Sequence, residues 1–108
     1  MGMMEVRLLK AADRQIDRVY AYGELHFGTR AAEELHARIV DHLRLLAAQP
    51  YIGVVEPSLK SRRYVYRSLV VHKHFKLVYY VDESRQTVFI ADLWDTRREP
   101  ARLARPLG

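Results

Sequence analysis

The sequence predicts an α+β domain: an N-terminal strand, a two-helix hairpin, then a three-strand antiparallel meander, the strands forming one curved sheet packed against the helices. Three observations carry this. Ala32, Leu35, Ile39, Leu43 and Leu46 recur at three- and four-residue steps, which marks one buried helix face. Residues 62–81 are rich in β-branched and aromatic side chains, which suit pleated, half-buried strands. Thr87–Trp94 (TVFIADLW) is a nearly continuous apolar run, as befits a central strand covered on both faces. A length of 108 residues predicts one domain, with 96–108 as a C-terminal tail.

Met4–Leu9 is short and apolar and reads as the first strand, with Met4, Val6 and Leu8 on one face. From Ala11 to Leu25, the residues Ala12, Ile16, Val19, Tyr20 and Gly23 fall at helical spacing. Gly23 and Gly28–Thr29 mark a break. Thr29 is the expected N-cap of the second helix, with Glu33 and Glu34 in its early turns, where the helix dipole favours anions. Pro50 stops that helix, and the short joint implies a helical hairpin. Gln49–Pro57 (QPYIGVVEP) reads as a loop. Arg62–Val71 reads as a strand and His72–His74 as a turn. Phe75–Val81 is a strand with Phe75, Leu77, Tyr79 and Val81 on one face and Lys76, Val78 and Tyr80 on the other. Asp82–Gln86 is a polar turn, Asp95–Glu99 is polar, and Pro100–Arg105 has the length of one helical turn.

Composition excludes several classes of function. The chain has no cysteine, so disulfide scaffolds, thiol nucleophiles and cysteine zinc sites are out. No run approaches the roughly 18 apolar residues of a membrane helix, and MGMMEVRLL lacks the parts of a signal peptide. The expectation is a cytoplasmic protein without a membrane partner. His72 and His74 flank Lys73 with no third ligand in view, so no metal is expected, and no cofactor either.

The formal net charge is +5. Residues 5–49 hold seven acids and seven bases, and residues 82–108 hold five of each. The excess therefore lies in Pro57–Val81, which carries Lys60, Arg62, Arg63, Arg67, Lys73 and Lys76 and no acid, against Glu56 just before it. A strand pair with one apolar and one cationic face is a platform for an anion, either nucleic-acid phosphate or an acidic protein. The residues expected to bind a partner or nucleic acid are Lys60, Arg62, Arg63, Arg67, Lys76, Trp94, Arg97 and Arg98. Arginine suits phosphate because its planar fork donates two bonds at once. A plain structural role stands beside each: an ion pair or packing bond for Arg67, edge solubility for Arg62 and Arg63, core packing for Trp94.

Three segments carry a resemblance. Leu45-Leu46-Ala47-Ala48-Gln49-Pro50-Tyr51-Ile52-Gly53 is followed by Arg67-Ser68-Leu69-Val70-Val71 with Phe75-Lys76-Leu77-Val78-Tyr79. Val88-Phe89-Ile90 then leads to Trp94-Asp95-Thr96-Arg97-Arg98. In this order, over roughly residues 5–98, they resemble the RelE/ParE superfamily of toxins from bacterial type II toxin–antitoxin pairs. The resemblance implies a growth inhibitor of the plasmid-stabilisation kind, neutralised by a cognate antitoxin that lays an acidic segment across it. A homodimer or a toxin–antitoxin hetero-oligomer is the implied assembly. RelE-like members cut mRNA on the ribosome, whereas ParE-like members poison DNA gyrase. Cutting RNA needs a base, an acid and cations gathered at one phosphate. Arg67, Arg97 and Arg98 are the candidate cations, and His72 and His74 the candidate titrating groups. RelE-like nucleases often carry a His or Tyr near the end of the last strand. Here Trp94 and Asp95 stand there, and no His or Tyr follows Tyr80. The ParE-like mode is therefore the expectation, and a ribosome-dependent endonuclease the alternative. A non-toxic domain that binds only an antitoxin or nucleic acid is a third reading.

Overall fold

The computed structural model describes residues 2–59 and 63–97. The elements are β1 (Glu5–Leu8), α1 (Lys10–Phe27), α2 (Thr29–Ala48), β2 (Val54–Val55), β3 (Arg67–His72), β4 (Phe75–Asp82) and β5 (Thr87–Asp95). They form one five-stranded sheet in the order β1-β5-β4-β3-β2. The meander β3-β4-β5 is antiparallel, and β1 joins its open side in parallel with β5, Glu5 opposite Thr87 and Leu8 opposite Ile90. The helical hairpin is the crossover that lets β1 run parallel to a strand so distant in sequence.

The stripe on α2 is buried as the spacing demands: Ala32, Leu35, Ile39 and Leu46 pack with Ala12 and Ile16 of α1 against Leu77, Tyr79, Val88, Ile90 and Leu93. Met4 and Val6 pack on this core too, while Leu8 is left 38% exposed. Phe75 and Val81 share the Leu77 and Tyr79 face, as the two-residue period requires. The other face of the sheet has a smaller apolar layer of its own: Leu59, Tyr66, Val78, Ala91 and Trp94, with Tyr80 beside it. Consecutive residues of β4 and β5, Leu77 with Val78 and Leu93 with Trp94, thus serve opposite layers. At Ala91 the register slips by one residue, with Asp92 opposite Val78 but Ile90 opposite Tyr79. Such a bulge bends a strand and increases its twist.

Three expectations are corrected. Thr29 is not the N-cap: Gly28 is, at φ 92, and Thr29 is already helical with no side-chain capping bond. A glycine at positive φ turns the chain in a single residue, so Gly28 ends α1 and caps α2 at once. The third strand begins at Arg67 rather than Arg62. Residues 64–66 pair with no strand, and Tyr64 instead stacks on Tyr80 with ring centroids 4.0 Å apart. The Gln49–Pro57 loop contains a strand that periodicity did not reveal. Val54 and Val55 pair with Ser68 and Arg67 at the sheet edge.

Candidate functional site

Among the described residues, the basic stretch does not present its charges on one open face. Arg67 opens β3 opposite Tyr79. Its Nη1 donates to the Gly53 carbonyl at 2.9 Å and toward the Tyr51 carbonyl at 3.4 Å, and the guanidinium lies 5.4 Å above the Tyr51 ring centre. Tyr79 is fully buried, and its phenolic oxygen accepts from the Gly53 N–H at 2.8 Å. A Cβ on Gly53 would stand 2.5 Å from that oxygen and 2.7 Å from the Ser68 carbonyl, so no larger residue fits without a shift. The Tyr51 hydroxyl in turn donates to the Glu83 carboxylate. That bond raises the Tyr51 pKa, and burial raises that of Tyr79. Both phenols stay protonated, as donors or acceptors rather than as bases.

Lys76 points to the outer face, as the alternation requires, but it is not free there. Its ammonium is bonded to the Glu56 carboxylate, which also accepts from Ser68 Oγ at 2.6 Å. Both side chains of the ion pair are only 15% exposed. Burial alone would raise the Glu56 pKa. Hydrogen bonds from Lys76 and Ser68, with the Lys76 charge, outweigh it, and the net shift is downward. Lys76 Nζ also lies 5.5 Å from the Trp94 ring centre. Trp94 is 6% exposed, and its indole N–H donates to Asp92 at 3.2 Å. In this conformation it offers no open ring face for stacking.

Arg97 lies just beyond β5. Two of its guanidinium nitrogens bond the Asp95 carboxylate at 2.8 and 3.1 Å, and its backbone N–H adds a third bond at 3.0 Å. This fork is far from Arg67. Along β4, the partner of Arg67 is Tyr79 and the partner of Asp95 is Phe75. Four residues of strand correspond to roughly 13 Å before any sideways distance is added. His72 and His74 sit at the Arg97 end, where His72 pairs with Phe75 and the His74 carbonyl accepts from Thr96 N at 2.6 Å. Burial lowers the His72 pKa, and the Arg38 and Lys73 charges lower it further. At the Arg67 end, Arg63 and Arg67 share a shallow cleft with Tyr51, Tyr64, Asp82 and Glu83, and the Arg63 guanidinium lies 5.5 Å over Tyr64. Lys60, Arg62, Arg98 and the expected helical turn at Pro100–Arg105 lie outside the described residues.

Arg67, Arg97 and the two histidines are therefore not gathered at one point. Sequence reasoning missed the groups that tie the candidate cations down: Tyr51 and Gly53 for Arg67, Glu56 for Lys76 and Asp95 for Arg97. For Gly53 a signal existed, a glycine after Pro50 in a loop. For Glu56 there was none, because nothing in the sequence couples it to a lysine twenty residues on.

A family model described as the ParE toxin of type II toxin–antitoxin systems matches residues 6–100. A search of curated proteins finds no match. Among solved structures, the chromosomal ParDE toxin–antitoxin system from P. aeruginosa is similar at TM-score 0.66 and 20% identity, over 84% of this chain and 94% of that one. The RelBE2 toxin–antitoxin complex from Mycobacterium tuberculosis is similar at TM-score 0.53 and 19% identity, over 84% and 95%. At such identities the structural likeness bears on the fold alone.

Proposed function

Because the chain belongs to the ParE toxin family of type II toxin–antitoxin systems, we propose that it arrests growth by binding DNA gyrase rather than by cutting RNA. An antitoxin encoded beside it keeps it silent, and both act in the cytoplasm. The observation that supports the non-nuclease mode is the placement of the arginines. Cleavage of RNA through its own 2′-hydroxyl needs cations, an acid and a base at one phosphate. Arg67 and Arg97 lie at opposite ends of the sheet, Arg67 bonded to backbone carbonyls and Arg97 to Asp95. His72 and His74 are at the end that Arg67 is not. Among the described residues no helix is long and apolar enough to cross a membrane, which is compatible with the cytoplasmic location.

Two assays run side by side test this. Purified protein added to gyrase is expected to block supercoiling of relaxed plasmid. Added to a reconstituted translation reaction, it is expected to leave the mRNA intact. New 5′ ends at ribosome-occupied codons, with supercoiling untouched, would overturn the proposal in favour of the endonuclease.

A further inference from the structure

We propose that residues 98–108 of this chain strap α1: they leave the sheet after Arg97, cross the helix and dock in the groove between α1 and α2. The strap is independent of the growth-arrest reading. The interhelical groove is lined by Ile16, Asp17 and Tyr20 of α1 and by Glu33, His36 and Ala37 of α2. Its floor is apolar and firm, with Ile16 8% exposed and the Tyr20 ring set edge-on to His36 at 5.8 Å. Its walls carry negative charge. Asp17 and Glu33 form no ion pair among the described residues. Two carboxylates on facing helices above an apolar floor complement a segment that carries both cations and apolar side chains.

The position of Arg97 and the order of the charges beyond it identify the occupant. Arg97 lines a second groove, on the opposite flank of the same helical turns, together with Arg18, Val19 and Tyr22. Asp17 and Arg18 are thus neighbours in sequence that face different grooves, and the small, exposed Ala21 lies on the helix surface between them. Arg18, like Asp17, has no charged partner among the described residues. A chain passing from Arg97 over α1 therefore meets a free cation first and two free carboxylates next. Beyond Arg98, residues 99–108 read EPARLARPLG, with Glu99 as the one acid, followed by Arg102 and Arg105. These charges come in the complementary order. Leu103 and Leu107, four residues apart, supply apolar side chains for the Ile16 and Tyr20 floor. The reach is sufficient: a helix is about 10–12 Å across, and residues 98–108 span about 16 Å if helical or up to roughly 36 Å if extended.

The test is limited trypsin digestion of the full chain, with cleavage after Arg102 followed by mass spectrometry and compared with the same cleavage in a synthetic peptide of residues 98–108. Wild type is expected to be cut about tenfold or more slowly than the peptide, because a docked segment is cut only when it lifts away. Glu33→Arg and Arg105→Glu are each expected to recover most of the peptide's rate, each measured against the peptide of its own sequence. Combined, they are expected to restore protection, since the reversed charges attract again. Asp17→Arg supplies an independent groove variant. Asp17 and Glu33 are exposed, so these variants should melt close to wild type. Three results would overturn the proposal. Wild type cut as fast as the peptide would show that nothing holds the segment. Protection that no reversal disturbs would place the segment elsewhere on the molecule. Protection that fades on dilution would show that the segment fills the groove of a second copy. None of these outcomes bears on growth arrest, which the supercoiling assay decides separately.

Discussion

At the scale of single residues, the charges that look like ligand contacts are engaged within the chain. Arg67 joins the start of β3 to the carbonyls of Gly53 and Tyr51, next to the bond from Gly53 N–H to the buried Tyr79 oxygen. Arg67→Ala strips a charged donor from these carbonyls. It is expected to cost about 1–3 kcal/mol, which lowers the melting temperature by roughly 4–8 °C per kcal/mol for a domain of this size. A melting temperature unmoved while gyrase inhibition disappears would show Arg67 to be a ligand clamp instead. Glu56 makes a second prediction, in pH. Its folded pKa is below the ordinary value near 4.5, so its contribution is fully present above that value. The contribution is lost as pH falls through the folded pKa. Glu56→Gln should therefore destabilise the protein by about 1–3 kcal/mol at neutral pH, and the gap to wild type should close below pH 4.5. Denaturant midpoints measured across pH check this, and a gap that persists in acid would show that the Lys76 pair is not its source.

At the scale of elements, α2 was readable because its stripe runs through four consecutive helical steps, and only a buried face explains such regularity. Ile39 is 3% exposed, and Ile39→Ala is expected to cost about 2–4 kcal/mol. Leu25→Ala on α1, at 80% exposure, should stay within about 0.5 kcal/mol of wild type. Chemical denaturation of the two variants checks the contrast, and similar losses would mean that the helix faces are assigned wrongly. β4 was readable for the same reason, since its alternation places Leu77 and Tyr79 together. β2 was not, because two residues at an edge have no period and become a strand only through their partner Ser68–Arg67. Residues 64–66 deceived for the opposite reason. Aromatic and β-branched side chains suit a strand, but they also suit a segment that lies over a sheet and stacks on it, as Tyr64 does on Tyr80. The Thr29 cap failed because Gly28, alone between the helices, serves at once as C-cap of α1 and N-cap of α2, which leaves Thr29 inside the helix.

At the scale of the whole molecule, the net charge was readable but its placement was not. Of the described cations in the basic stretch, Arg67 and Lys76 bond inward, so the charge surplus does not form the continuous cationic sheet face that the sequence suggests. What the sheet does form is a shared wall between two apolar layers, the helix-side core and the smaller layer around Trp94. Because Leu77 and Val78, and again Leu93 and Trp94, are neighbours on one strand but face different layers, neither layer can melt while the strands stay ordered for the other. Trp94 is the only tryptophan in the chain, so its fluorescence reports on the outer layer alone, whereas the far-ultraviolet circular dichroism is dominated by α1 and α2 on the other side. Cooperative unfolding of a small domain makes such probes coincide. The two signals are therefore expected to trace one superimposable urea transition. A tryptophan signal that changes at lower urea, with helical ellipticity intact, would show that Leu59, Tyr66 and the segment carrying Glu56 peel from the sheet as a separate unit, and that the outer layer is an adhering flap rather than half of the fold.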